Sequence, residues 1–228
     1  MLITGSRKGI GRYLTEYYAN KKCKVIGFSR EKSDFKSECY EHFCVDVSDK
    51  LKVKSTFSLI RKKYPKIDVL INCAAIHPSV SPFILFPPLT IEKAFKINVL
   101  GLMNVTRESI KLMIKNKFGR IINLSSMAVK HEVEGDSIYA ATKAAIHSFT
   151  RVLSKEVYKN GITCNIIAPS AVHTDMSDNL NENVIKNILD RNAIKEFGIM
   201  EDVSNTIDWL LKDQSNAITS QIIYLGGV

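Results

Sequence analysis

Tyr139 and Lys143 stand four residues apart in the run YAATK. On a helix, positions i and i+4 share one face, so this spacing sets a phenol beside an ammonium. A neighbouring cation stabilises the phenolate and lowers its pKa toward working pH. Such a tyrosine donates a proton to a carbonyl oxygen during a reduction and accepts one during an oxidation. Ser126, thirteen positions earlier at the end of the apolar run IINLSS, is placed to hydrogen-bond the same oxygen and hold it. A tyrosine and lysine at this spacing, taken in isolation, suit a plain solvated helix face equally well. A serine nucleophile is the competing reading. It fails locally, because neither Ser125 nor Ser126 lies in a G-x-S-x-G elbow. His131 and His147 fit no order of a hydrolytic set and read as ordinary polar or surface histidines.

A second constellation opens the chain. Thr4-Gly5-Ser6-Arg7-Lys8-Gly9-Ile10-Gly11 follows a short β-rich run and leads into an amphipathic one. Three glycines at this spacing allow a tight turn and close approach of backbone to a phosphate. The helix N-terminus that follows presents free N–H groups and the positive end of its dipole. A helix-opening turn without a ligand has the same glycines; the strand–turn–helix context favours the phosphate.

The elements that must carry these groups alternate along the chain. Apolar, β-rich runs cover 1–4, 24–28, 42–45, 69–73, 120–124, 163–167 and 221–224; helical periodicity covers 10–20, 50–63, 91–115, 138–159, 181–191 and 200–212. Strands alternating with helices predict βαβ units, and near-continuous apolar strands predict a sheet covered on both faces. The expected fold is therefore α/β, a doubly wound parallel sheet of about seven strands. At 228 residues the chain suits one large domain, with a core that needs no disulfide or metal staple. Hydrophobic residues at 45% and charged residues at 24% exclude general disorder, and the longest apolar runs are too short to span a bilayer. The formal charge of +9 favours acidic or phosphorylated partners without choosing among them. Five cysteines, an odd number with no C-x-x-C pair, fit a reducing, cytosolic compartment and give no zinc site. Cys23, Cys44, Cys73 and Cys164 lie in or beside apolar runs and are expected to pack as small hydrophobes.

The ordered set of motifs resembles the short-chain dehydrogenase/reductase family over essentially the whole chain. TGSRKGIG resembles its cofactor turn, and Asn72-Cys73-Ala74-Ala75 its N-A-A-G sequence with Ala75 in place of glycine. Asn98 in KINVLG, Ser126, and Tyr139 with Lys143 match its catalytic positions at the family's spacing. Pro169-Ser170-Ala171-Val172-His173-Thr174 resembles its P-G-x-x-x-T loop with Ser170 in place of glycine. The resemblance implies a single Rossmann-type domain over 1–228, with a segment at about 171–198 covering the substrate. It implies Asn98, Ser126, Tyr139 and Lys143 as the catalytic set and no metal. Tyr139 and Lys143 would also contact the cofactor, Lys143 at the nicotinamide ribose, and Asn98 would hold a helix bend that links Lys143 to solvent. Cofactor contacts are implied for Gly5, Ser6, Arg7, Gly9, Ile10 and Gly11, for Asp46, Val47, Asn72 and Ala74, and for Pro169, Val172 and Thr174. Enzymes of this kind that use NAD place an acid at the tip of the second strand; here the tip reads Ser29-Arg30. Ser29, Arg30 and Arg7 suit a 2′-phosphate, which favours NADP(H) over NAD(H), with Glu31 as the opposing charge.

Within that family, VHTDMSDNL and KNGITCNIIAP are similar to 3-oxoacyl-acyl-carrier-protein reductases. This implies reduction of a 3-oxoacyl thioester, carried on an acidic carrier protein that Lys117, Arg120 and Lys159 would meet. The charged run 127–137 and the proline-rich run 77–88 keep a sugar, a sugar nucleotide or another polar carbonyl open as substrate. A non-enzymatic nucleotide-binding scaffold rests on net charge alone and has no use for the intact Asn98, Ser126, Tyr139 and Lys143. Neither nucleic acid nor membrane is expected as a partner. A homotetramer or dimer is implied by the family, through apolar positions such as Leu102, Val105, Ile110, Ile146, Phe149, Val152 and Leu153, which serve equally well to pack the helices on the sheet.

Overall fold

The computed structural model describes residues 1–173 and 182–227. Seven parallel strands form one sheet: β1 (Leu2–Thr4), β2 (Val25–Ser29), β3 (Tyr40–Cys44), β4 (Val69–Asn72), β5 (Gly119–Leu124), β6 (Ile162–Ala168) and β7 (Ile222–Tyr224), in the order β3-β2-β1-β4-β5-β6-β7. This is the expected doubly wound architecture. β1, only three residues long, lies near the middle of the sheet, with Leu2 in register with both Ile26 and Leu70.

Successive strand residues point to opposite faces, and both faces are apolar. Leu2, Leu70 and Ile121 turn to one side, where they pack with α2 (Lys50–Lys63), α4 (Leu102–Asn116) and α6 (Ser137–Val157). Ile3, Ile71 and Ile122 turn to the other, against α1 (Gly9–Asn20) and α7 (Met200–Leu211). Among the described residues no helix is long and apolar enough to cross a membrane.

Several expectations are corrected. The third strand begins two residues earlier than its apolar pattern suggested, because Tyr40 and Glu41 continue the ladder beside Val25 and Ile26. Cys44, at the end of that edge strand, is exposed rather than packed. The helix expected over 91–115 is two helices, α3 (Pro88–Phe95) and α4, joined by a π-helical turn at Lys96–Gly101. That turn has an identifiable cause. Asn98 clamps the backbone of Ile76, accepting from its N–H at 2.8 Å and donating to its carbonyl at 2.9 Å. Gly101 lies so close to Val47 that a Cβ would sit 2.6 Å from its Cγ2. Of the apolar helix positions, Leu102, Val105, Ile146 and Leu153 pack into the core. Val152, at 54% exposure, faces outward, as do Leu100 and Ile114.

The proposed carrier-docking residues are misplaced for that role. Lys117 ends α4, Lys159 lies in the turn before β6, and Arg120 is in the first half of β5, all at the N-terminal edge of the sheet. Ser126 and Pro169 follow the opposite, C-terminal ends of the same strands. Arg120 is also only 1% exposed, stacked over Phe118 and donating to Gly119 O and Asn216 Oδ1.

Candidate active site

The turn after β1 is held by its neighbour strand. Thr4 Oγ1 accepts from the backbone N–H groups of Cys73 and Ala74 at 3.0 and 3.1 Å, tying the turn to the end of β4. Gly5 takes φ +70°, a left-handed backbone that glycine adopts without strain. At Gly11 a Cβ would lie 2.4 Å from the Gly5 carbonyl oxygen, so the start of α1 folds against the turn with no room for a side chain. No side chain caps α1 and no acidic residue occupies its first turn. Its first N–H groups and its dipole are thus available to an anion. Gly5, Arg7, Gly9, Ile10 and Gly11 line a cleft of about 570 Å³ that continues past Ala74 to Tyr139 and Lys143. A phosphate-bearing dinucleotide fits these features: glycine where backbone must come close, a bare helix start, and cationic side chains at one end.

That cationic end is the tip of β2. Ser29, Arg30, Asp46 and Val47 line it, together with Glu31. Glu31 pairs with Arg7 at 2.7 Å, so the opposing charge noted in the sequence does reach the site. Ser29 Oγ donates to Glu31 O at 2.7 Å and shares a hydrogen bond of 2.7 Å with His42 Nε2. Asp46 turns one carboxylate oxygen to its own loop, accepting from Ser48 N and Oγ.

The reactive end is built on β5 and α6. Tyr139 and Lys143 are buried one turn apart on α6. Lys143 Nζ donates to Leu124 O at 2.8 Å and lies 5.5 Å from the centre of the Tyr139 ring. Ser126 follows β5; its Oγ accepts from Ala128 N at 3.1 Å. Burial pushes the Tyr139 phenol well above its ordinary pKa, which corrects the lowering expected from the neighbouring lysine. The negative charge of Asp136 adds to the rise, and a hydrogen bond with Ser126 works against it. Burial brings the Lys143 ammonium down to about 8, with the Cys73 thiol opposing. Asn98 Nδ2 also donates to Thr142 Oγ1 at 3.1 Å, which fixes the π-turn against α6 beside Lys143. The four residues singled out from the sequence therefore converge.

A second cavity, of about 140 Å³, adjoins the cleft. Ile10, His77, Ser125 and Tyr139 border both spaces. Tyr139 thus stands between a long cleft suited to a dinucleotide and a small cavity suited to a substrate.

Not every expected contact faces the cleft. Ser6 is fully buried and turns inward, its Oγ 3.2 Å from Tyr40 Oη. Asn72 points into the protein, donating to Thr106 Oγ1 and Asn123 Oδ1. Pro169 and Val172 border the smaller cavity. Thr174 lies outside the described residues. Ala75 borders the cleft and Ser170 the smaller cavity; neither takes the positive φ that glycine would allow. Among the described residues no cluster could hold a metal ion.

Sequence reading missed three features. His77 Nε2 lies 3.1 Å from Asp136 Oδ1, and its ring centre is 4.3 Å from that of Tyr139. Ser125 and His147 form a buried pair at 2.7 Å, where burial and three nearby cations hold the imidazole down at about 4. His131 is buried beside the smaller cavity. Both histidines read as polar or surface residues are therefore internal. Their burial follows from the seating of α5 (Ala128–His131) and α6 on the sheet, which no local pattern reveals.

Comparison with known proteins agrees with this fold. The family model described as short chain dehydrogenase matches residues 1–185. A 3-oxoacyl-(acyl-carrier-protein) reductase of Rickettsia felis is 33% identical over 229 residues, 99% of this chain and 94% of its own. The protein of that name from Thermotoga maritima is 30% identical, over 99% and 95% of the two chains. Among solved structures, ElxO with NADP bound superposes with a TM-score of 0.89 at 25% identity, over 98% of this chain and 95% of that one. A 4-hydroxyisoleucine dehydrogenase complexed with NADH shares the fold, with a TM-score of 0.88 at 22% identity over 99% and 96% of the two chains.

Proposed function

The chain belongs to the short chain dehydrogenase family, and we propose that it is an NADPH-dependent reductase that converts a 3-oxoacyl thioester to its 3-hydroxy form. It is an NAD(P)-dependent oxidoreductase acting on CH–OH and C=O groups. The observation that carries the finer reading is the position of Tyr139, between the dinucleotide cleft and the small cavity and beside Ser126 and Lys143. The thioester follows from the names of the relatives that match over nearly their whole length.

When bound, the reduced nicotinamide supplies a hydride to the carbonyl carbon. Ser126 and Tyr139 hold the carbonyl oxygen, and Tyr139 passes its phenolic proton to that oxygen as charge develops there. Burial keeps Tyr139 protonated beforehand, which is the form that can give a proton. Lys143, cationic at neutral pH, offsets the phenolate left behind. Asn98 acts by position, holding the Ile76 backbone and the π-turn against α6. Gly5, Gly9, Ile10, Gly11, Ala74 and Val47 shape the dinucleotide's path. Pro169 and Val172 line the small cavity beside its nicotinamide end; for Thr174 a cofactor contact remains what the family resemblance implies.

NADP(H) is the preferred cofactor, because Arg7 and Arg30 stand at the tip of β2 with no acid at Ser29 itself. Glu31 partly offsets Arg7. Glu31→Gln is therefore expected to tighten NADPH binding by about threefold, the scale of an exposed ion pair, and to leave NADH unchanged. Fluorescence titration with each cofactor checks this. Gly11→Ala drives a methyl onto the Gly5 carbonyl. It is expected to weaken NADPH by about tenfold or more and to cost about 1–3 kcal/mol of stability, read by the same titration and by a melting curve.

We further read the chain as one Rossmann-type domain over 1–228 with the segment at about 171–198 over the substrate. We read it as a cytoplasmic homotetramer or dimer, supported by the outward-facing Leu100, Ile114 and Val152. An acidic carrier, if it delivers the thioester, meets the C-terminal edge of the sheet and not Lys117, Arg120 or Lys159. A second reading, a polar carbonyl such as a keto-sugar, is favoured by the His77–Asp136 pair on the cavity wall. NADPH consumption with an acetoacetyl thioester, beside keto-sugars and simple ketones, separates the two. Turnover mainly on the thioester supports the first, and turnover on sugars alone supports the second.

A further inference from the structure

The small cavity carries a charge of its own. Among the described residues that line it, Asp136 is the one acidic or cationic side chain; the others are apolar groups, hydroxyls and the imidazoles of His77 and His131. Lys143 lines the dinucleotide cleft instead and spends a hydrogen bond on Leu124 O. The sign inside the cavity is therefore opposite to that of the chain, which carries +9.

Local structure turns this carboxylate inward. Asp136 is the N-cap of α6, a position where an aspartate usually accepts from the first N–H groups of its helix. Here its side chain makes no such bond. One of its oxygens lies 3.1 Å from His77 Nε2. Both side chains stay partly open, at 12% exposure for His77 and 11% for Asp136, and both line the cavity.

His77 is held from both directions along the chain. On one side, Asn98 grips the backbone of Ile76 through two hydrogen bonds. On the other, Ser81 N donates to Gly135 O at 3.0 Å, which ties the 77–88 loop to the residue just before Asp136. A Cβ at Gly135 would lie 2.8 Å from Val80 Cγ1, so loop and turn meet without room for a side chain between them. The His77 ring packs with its centre 4.3 Å from that of Tyr139. The pair is thus fixed beside the proposed proton donor, and no step of the reduction uses it.

In a partly enclosed space a unit charge acts more strongly than in water. This carboxylate favours a ligand group that donates a hydrogen bond or carries positive charge. It opposes a ligand carboxylate, which would meet no cation among the described lining residues. A neutral imidazole at His77 donates from Nε2 to Asp136 and leaves that charge in place.

We propose that Asp136, held by His77, is the charge filter of the substrate cavity. It admits neutral carbonyl compounds, favours those with a hydroxyl or ammonium group next to the carbonyl, and turns away those with a carboxylate there. This rests on the reductase reading of the Tyr139 site and narrows its substrate class: a 3-oxoacyl group enters as a thioester and not as the free 3-oxo acid.

The test uses four ketones of one series, CH3–CO–CH2–X: aminoacetone, hydroxyacetone, butanone and acetoacetate. They are assayed with NADPH at about pH 7.5, where an imidazole of ordinary pKa is mostly neutral. Because X also alters the reactivity of the carbonyl, each kcat/KM is taken relative to butanone and compared between wild type and Asp136→Asn, which keeps the shape and removes the charge. The variant is expected to gain about tenfold to a hundredfold on acetoacetate and to lose as much on aminoacetone, the scale of two unit charges several ångströms apart at an effective dielectric constant of about 20. The loss on hydroxyacetone is smaller, up to about tenfold, as for a single hydrogen bond. Relative rates that do not move overturn the filter and leave the reductase reading standing. Inhibition of the wild type by the corresponding alcohols, measured against whichever carbonyl is turned over, keeps the test decisive if the variant fails to fold. There 1-amino-2-propanol is expected to bind more tightly than 2-butanol, and 3-hydroxybutyrate less tightly. Equal affinities or the reverse order overturn the filter. No NADPH consumption with any of the four ketones or with an acetoacetyl thioester overturns the reductase reading, and the filter with it.

Discussion

Tyr139→Phe lowers kcat for carbonyl reduction by about a thousandfold, within the range lost with a general acid, while NADPH binding stays within a few-fold of wild type. The substitution removes one hydroxyl from a buried ring and fills the same space, so the fold has no reason to change. What disappears is the proton held ready for the carbonyl oxygen. Rapid-mixing measurement of NADPH consumption gives the rate, and a fluorescence titration gives the affinity. A rate near wild type would place the proton donor elsewhere. The strongest rival on the cavity wall is His77, stacked near the Tyr139 ring and paired with Asp136. The pH profile adds a second check. The proposed mechanism needs a cationic Lys143, whose pKa burial brings to about 8, so wild-type kcat is expected to fall as pH rises through that value.

Lys143→Met is expected to abolish most turnover and to leave a protein at least as stable as wild type at neutral pH. The folded-state pKa of about 8 lies below the ordinary 10.5. Between these values the unfolded chain binds more protons than the folded one, so this lysine makes stability rise with pH, by up to about 1.4 kcal/mol per pH unit. Read downward, stability present above the unfolded value is lost as pH falls toward 8, reaching about 3 kcal/mol. Methionine removes that cost and gives up the hydrogen bond to Leu124 O. Cys73 and Cys164 act in the opposite sense. Burial holds both thiols up at about 12, so alkaline pH ionises them first in the unfolded chain. The difference between wild type and variant isolates the lysine. Denaturant melts of both proteins across pH 7 to 10 should show the wild type gaining relative to the variant. Parallel curves would mean that Lys143 is not held with a depressed pKa.

The proposed catalytic groups were legible as a constellation because their spacing is local. Tyr139 and Lys143 are one helical turn apart, and Ser126 and Gly5 to Gly11 each sit where a strand gives way to another element. Period and punctuation locate such junctions. What the sequence concealed depends on packing across the molecule. The π-turn at Asn98 arises from its grip on Ile76, far off in the chain, and helical periodicity runs through it without interruption. Ser6 and Asn72 sit in the right motifs, but their side chains point inward, because alternation along a short strand does not say which face meets a ligand. Arg120 reads as a surface charge by residue type, and burial over Phe118 overrides type. His131 and His147 carry no periodic signal, so only the seating of α5 and α6 reveals that they are internal.

The position of β1 has a consequence for how the chain is assembled. Its three residues lie between β2 and β4, so its second neighbour arrives only after some seventy residues have been made. Closing a loop of that length costs entropy before any contact repays it, and parallel pairing at long sequence separation is slow. During synthesis, the apolar strip of Leu2 and Ile3 has β2 as partner on one side and nothing on the other until β4 emerges. The half that carries the glycine-rich turn is therefore made first and completed late, and its open strand edge is the surface that a chaperone would have to cover meanwhile.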